Sequence, residues 1–145
     1  MANTPDRLYI ARGDRGLYDE VNKEGMLKYK DRGGTRTRKE QFLFAMATGF
    51  KSALRQPMKS RDGGGFFLSK DLHDEDVALL NAVALADTGS PQVLLDRAEV
   101  FRIAEEYAHA GIRLLADRVG STSFASFEKR LEKELRELAK QRRAG

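Results

Sequence analysis

The chain has 145 residues, with 26 Lys and Arg against 22 Asp and Glu, a formal net charge of +4 and 41% hydrophobic residues, as one soluble globular domain would have. It contains no Cys, which excludes disulfides, thiolate metal sites and cysteine nucleophiles. The longest apolar-rich run, Val77 to Ala86, is interrupted by Asn81 and falls far short of the ~20 residues of a membrane span. Met1 to Arg15 lacks the apolar region of a signal peptide, so a cytoplasmic protein without membrane association is expected.

In chain order, Arg7 to Arg12 reads as a short strand with Leu8 and Ile10 on one face. Leu17 to Met26 suits an amphipathic helix with Leu17, Tyr18 and Val21 inward and an end at Gly25, and the basic Lys28 to Gly34 suits a loop. The clearest helix start is Thr37-Arg38-Lys39-Glu40, a capping box in which the Thr37 hydroxyl and the Glu40 carboxylate each satisfy an orphan backbone N–H. Phe42, Met46, Gly49, Phe50 and Ala53 follow at helical spacing as a core stripe, and Pro57 is expected to stop the helix. Gly49 costs about 1 kcal/mol of helix propensity, and close approach of another helix explains it best.

Gln56 to Gly65 reads as a second basic loop, and Phe66 to Leu68 as a strand able to pair with Leu8 to Ile10. A helix over Asp74 to Asp87 has Asp74, Glu75 and Asp76 in its first turn, where they complement the macrodipole, and Gly89 at its C′ position. Ser90-Pro91 opens the next helix, broken near Asp96 before a longer piece runs to about Val119. Gly120 to Ser123 reads as a hinge. Beyond it Phe124, Phe127, Leu131, Leu135 and Leu138 form a coiled-coil-like seam. The expected fold is mainly α: a helical domain over 1–120, about five helices in all with at most a short two-stranded β-ribbon, and a C-terminal amphipathic helix over 121–145 that packs back or serves oligomerisation or partner binding.

Charge is segregated along the chain. Lys28 to Arg61 holds ten basic residues against Asp31 and Glu40, a balance of +8, whereas Asp62 to Glu128 holds twelve acids against five bases, a balance of −7. Such a distribution is the electrostatic footprint of a phosphate-bearing partner. The candidate nucleic-acid-binding residues are Arg32, Arg36, Arg38, Lys39, Lys51, Arg55, Lys59 and Arg61. Arg32, Arg36, Arg38 and Lys39 cluster at a loop–helix junction, while Lys51 and Arg55 lie one turn apart. The competing explanation is a solvated face or an acidic protein partner.

Other chemistry is thinly supported. His73 and His109 lack a ligand pattern and read as capping, structural or surface residues. Asp71, Asp74, Glu75 and Asp76 would serve a metal-dependent nuclease, but four carboxylates on one stretch point in different directions, so a solvated helix start is favoured. Glu105-Glu106 reads as an exposed helix face. Asp62-Gly63-Gly64-Gly65, after Lys59 and Arg61, lacks the P-loop pattern and does not open onto a helix; it reads as a flexible connector, or as a mobile loop whose backbone approaches a phosphate. No cofactor or metal is expected.

Three blocks stand in a distinctive order: QFLFAMATGFK from Gln41 to Lys51, LLNAVALADTGSP from Leu79 to Pro91, and IAEEYAHAG from Ile103 to Gly111. This order resembles a family of small proteins associated with Dnd-type DNA phosphorothioation systems, known as system-associated protein 4. The similarity spans roughly Thr37 to Leu115; the Lys59 to Gly65 loop and the final helix lie outside it. The resemblance implies an accessory in prokaryotic DNA modification or anti-phage defence, with no catalytic motif to carry over. The reading is therefore a non-enzymatic accessory that binds a nucleic-acid backbone, DNA favoured over RNA. Its acidic half and C-terminal seam would face a larger defence protein or a second copy. The alternative is a protein–protein adaptor that docks on a larger defence enzyme without touching nucleic acid.

Overall fold

The computed structural model describes residues 4–23, 37–122 and 124–144. Strand β1 (Arg7–Leu8) pairs antiparallel with β2 (Phe67–Leu68), with Arg7 opposite Leu68 and Leu8 opposite Phe67. A bridge between Ala11 and Arg61 extends the contact. The helices are α1 (Asp14–Lys23), α2 (Arg38–Lys51), α3 (Asp74–Thr88), α4 (Arg97–Thr122) and α5 (Phe124–Ala144), with 3₁₀ turns at Ser69–Asp71 and Pro91–Leu95. The described chain is thus mainly helical with one two-stranded ribbon, as the sequence implies. The segment from Glu24 to Arg36, which includes the expected end at Gly25, the Lys28 to Gly34 loop, Arg32 and Arg36, lies outside the described residues.

Helix α4 is the central element, and α1, α2 and α3 pack against it. Between Val100 and Ile112 it is buried on most of its circumference, through Val100, Phe101, Ile103, Ala104, Tyr107, Ala108 and Ile112. Facing side chains come from every other layer: Leu8 and Ile10 from the ribbon arm, Tyr18 and Val21 from α1, Phe42 and Met46 from α2, Leu80 and Val83 from α3. The break before α4 has a local cause, because the Asp96 carboxylate accepts from Glu99 N–H at 3.1 Å and starts the helix afresh.

The closest approach is between α2 and α4. A Cβ added at Gly49 would collide with the Tyr107 carbonyl oxygen, and one at Gly111 with the Ala45 carbonyl oxygen; the latter would also lie 2.9 Å from Gly49 N. The two glycines therefore face each other where the helix backbones touch. This accounts for Gly49 in an otherwise good helix, and it gives Gly111 the same role.

Several sequence expectations change, Phe50 of the expected core stripe among them, which is 38% exposed. Helix α2 does not run to Pro57; it ends at Lys51. Leu54 N–H bonds Gly49 O at 2.9 Å and Ala53 N–H bonds Phe50 O at 3.0 Å, which together form a Schellman end with Ala53 at the left-handed position, φ 54°. Ala53 is accordingly exposed rather than in the core. The backbone of Gly120 to Thr122 is helical, so of the expected hinge only Ser123 is left, outside the described residues. Glu105 and Glu106 are buried, 2% and 6% exposed, rather than on a solvated face. Finally, the glycine-rich loop is tied down: Arg7 donates to Gly64 O at 3.0 Å, and Arg15 donates to Gly65 O at 3.0 Å and to the Asp62 carboxylate at 3.1 Å.

Candidate nucleic-acid interface

Folding pairs part of the basic segment with part of the acidic one. Because α2 packs along α4 and the Lys39 and Arg55 side chains reach α3, its cations and those of the loop after it meet the carboxylates those helices carry. Lys39, in the first turn of α2, lies 2.8 Å from Asp76 of α3. Partial burial opposes ionisation of Asp76, but the hydrogen bonds from Lys39 and from His73 N–H outweigh it and hold the carboxyl below its usual range. His73 thus caps α3, with its backbone N–H donating to Asp76 at 2.8 Å.

Arg55 lies just past the end of α2. Its Nε donates to Glu106 at 2.7 Å and its Nη1 to Asp87 at 2.5 Å. Asp87 also accepts the Tyr107 hydroxyl at 2.6 Å, while Glu106 accepts from Arg102 at 3.2 Å. Burial, and then the Asp87 contact, push the Tyr107 phenol up to about 12. Arg61 donates to the buried Glu105 carboxylate at 3.0 Å and places its guanidinium 5.0 Å from the centre of the Tyr9 ring. Glu105 takes a second bond from Tyr9 N–H at 2.7 Å. Even so, burial dominates and pushes the Glu105 carboxyl up to about 7.

The remaining described candidates have no carboxylate in ion-pair range among the described residues. Arg38 is exposed, with its guanidinium 5.4 Å from the centre of the Phe66 ring, beside an open groove that Phe67, Lys70 and His73 also line. Lys51 is exposed at the end of α2, in a hollow shared with Arg118. Lys59 is exposed in a third place, a cleft between the Gln56 to Ser60 loop and α4. The structure therefore brings Lys39, Arg55 and Arg61 into the scaffold and leaves Arg38, Lys51 and Lys59 at three separate surface positions.

Reading charge along the chain missed Arg12 and Arg113, which line the Lys59 cleft. Arg12 lies in the first segment and Arg113 in the acidic one, so neither adds to a local charge run. It also missed a buried pair. His109 Nδ1 lies 2.6 Å from the carboxylate of Asp14, the first residue of α1, and both side chains are almost fully enclosed. Burial raises the Asp14 carboxyl, with the His109 hydrogen bond working against it. Among the described residues, no group of three or more His, Asp or Glu side chains is placed to hold a metal ion. Asp71, Asp74 and Asp76 accordingly form no cation cage there. No described helix is long and apolar enough to cross a membrane.

Over residues 19–143 the chain matches the family described as DNA sulphur modification system-associated protein 4. It belongs to that family. Membership associates it with a DNA sulphur modification system and extends the similarity on both sides of the Thr37 to Leu115 span legible in the three blocks. The Lys59 to Gly65 loop and most of α5 lie within the family span, as do the Arg55–Glu106–Asp87 cluster and His109; Arg12 and Asp14 precede it. No curated protein and no solved structure matches the chain.

Proposed function

We propose that this protein is a non-catalytic accessory of a DNA sulphur modification system in prokaryotic defence, and that it engages the phosphate backbone of nucleic acid, DNA in preference to RNA. The direct contacts are assigned to Arg38, Lys51 and Lys59, with Arg32 and Arg36 in the segment before α2. Lys39, Arg55 and Arg61 act through the scaffold that presents them. One observation carries the reading: after folding has paired three described cations of the basic segment, the other three stay exposed with no carboxylate partner among the described residues. Cations left in that state interact with phosphates independently of sequence and in a salt-dependent way.

The test is fluorescence anisotropy of the full chain against duplex DNA and RNA at low and moderate salt. Binding should weaken steeply with salt, favour DNA, and fall at least tenfold in an Arg38→Glu/Lys51→Glu variant. An unchanged affinity and salt slope in that variant would sink the proposal.

A second reading has its own observation. Leu131, Leu135 and Leu138 on α5 are 45%, 58% and 56% exposed, the state of an apolar seam awaiting a larger protein of the system or a second copy. Phe124 and Phe127 continue the seam in sequence, though their side chains lie outside the described ones. As an adaptor, the protein would lose its partner on Leu135→Glu while binding no nucleic acid at any salt.

A further inference from the structure

We infer that the cleft between the Gln56 to Ser60 loop and α4 is a receptor site for a phosphate-type oxyanion. Its walls carry Arg12, Lys59, Arg113, His109, Ser60 and Gln56, and no Asp or Glu lines it. Arg113 has one carboxylate nearby, Asp14 at 4.0 Å, which it shares with His109, and Arg12 acts on Asp62; the cations of the cleft are thus only partly balanced, and a bound anion would relieve the repulsion that is left. The same fold seats Lys39, Arg55 and Arg61 in close ion pairs, whereas Lys59 in this cleft has no carboxylate in ion-pair range among the described residues. A neighbouring hollow that shares Arg12 and Arg113 is lined by Asp14 and Asp117, and it has no such excess.

The site is built rather than assembled from loose side chains. Arg12 N–H donates to Ser60 O at 3.0 Å, and the Ala11–Arg61 bridge follows, fixing one wall to the other. At the far end of the loop, Gln56 N–H donates to Glu106 O at 3.2 Å and ties the loop to α4. His109 is oriented from behind. The carboxylate of Asp14 engages Nδ1, and Asp14 also lies 4.0 Å from Arg113. A carboxylate is an acceptor, so Nδ1 carries the hydrogen in this pair. The other ring nitrogen, Nε2, has no hydrogen-bond partner among the described residues. In the neutral ring it is an acceptor, suited to the hydroxyl of a hydrogen phosphate, and it donates to an oxyanion only when the ring is doubly protonated.

Geometry selects the anion class. Donors arrive from three separate places, the turn before α1, the Gln56 to Ser60 loop and α4, which suits a tetrahedral group with several acceptor oxygens better than a planar carboxylate. The cleft volume of about 290 Å³ lies at the small end of ligand sites, enough for a phosphate with one attached sugar. The phosphate belongs either to a nucleic-acid strand or to a free mononucleotide or inorganic phosphate. The inference does not rest on contacts from Arg38 or Lys51.

The experiment is isothermal titration calorimetry of the full chain with inorganic phosphate, a nucleoside 5′-monophosphate and a short DNA duplex. Each is repeated on Lys59→Ala, Arg113→Ala and Arg38→Glu/Lys51→Glu variants. Saturable binding of phosphate or monophosphate that weakens at least tenfold in Lys59→Ala and Arg113→Ala, but not in Arg38→Glu/Lys51→Glu, would establish the site with a free phosphate as its source. Cleft-dependent binding of the duplex alone would establish it with a strand phosphate as its source. A ¹⁵N shift of His109 Nε2 on ligand addition should accompany either result. Binding to none of the three, or binding that the cleft variants leave unchanged, would overturn the inference. Lys59 and Arg113 project from the surface, so the outcome does not depend on a core substitution folding.

Discussion

Arg55 places its Nε 2.7 Å from the Glu106 carboxylate, so a cation from the most basic stretch of the chain is a structural partner of the central helix α4. Glu106 is 8% exposed in its side chain and Arg55 25%. Removing one member of such a pair strands the other in a poorly solvated place, which costs about 3–5 kcal/mol when burial is complete. Because Arg55 is partly solvated and Arg102 still reaches Glu106, Arg55→Ala should lower stability by about 2 kcal/mol. Lys51→Ala, at an exposed position without an ion pair, should stay within about 0.5 kcal/mol of the parent. Urea unfolding of the two variants decides it; equal midpoints would mean that the Arg55 cluster is not structural.

Gly111 is held by backbone contact. Gly111→Ala gains about 1 kcal/mol of helix propensity, yet its new Cβ would meet the Ala45 carbonyl and force α2 and α4 apart. Overpacking of this kind costs about 1–3 kcal/mol; because backbone rather than a side chain must yield, the cost should lie at the upper end and the net effect be a loss of about 2 kcal/mol. Gly49→Ala should behave alike. A thermal melt showing either variant as stable as the parent would contradict the described crossing.

Ala53 adopts φ 54° at the end of α2, where a Cβ costs about 1–2 kcal/mol. Glycine removes that cost but gives the unfolded chain more entropy, worth about 0.4–1 kcal/mol. Ala53→Gly should therefore stabilise the protein by a few tenths to about 1 kcal/mol. The same site replaced by Val should destabilise it, since a β-branched residue fits this conformation worst. Chemical denaturation should rank the three Gly, Ala, Val, and any other order would argue against the Schellman end.

Glu105 predicts a pH dependence. Its folded pKa, pushed up to about 7 by burial, lies above its ordinary value of 4.5. The folded state thus holds the proton more tightly than the unfolded state does. This contribution is fully present below pH 4.5 and is lost as pH rises to about 7, a change on the order of 3 kcal/mol. Asp62, held low by hydrogen bonds from Arg15 and Gly64 N–H, and Asp76, held low by Lys39 against partial burial, act in the opposite sense at lower pH. The comparison must therefore be made against Glu105→Gln. That variant keeps an oxygen for Tyr9 N–H, so its stability relative to the parent should rise between pH 5 and 8. A parent-minus-variant difference that stays flat over this range would show that Glu105 ionises normally.

Local sequence by itself determined the elements whose signals are local. The Thr37–Glu40 capping box, Gly89 in a left-handed C-cap at φ 66° and the Ser90-Pro91 restart all sit where their chemistry places them. The ribbon of Leu8 with Phe67 and the inward faces of Tyr18 and Val21 were also legible, because period-2 and period-3.6 patterns report which side is buried. The three blocks even pointed to the family. Tertiary structure alone decided how the charges are used. Net charge along a chain says how many cations a segment holds, but an ion pair depends on which helix faces which across a gap of a few ångströms. Glu105, Glu106 and Asp87 come from residues far from Arg55 and Arg61 in sequence, and they come into range through the close packing of α2 on α4, the Gln56–Glu106 backbone bond and the Ala11–Arg61 bridge. For the same reason Arg12, Lys59, His109 and Arg113, which no spacing rule connects, line one cleft.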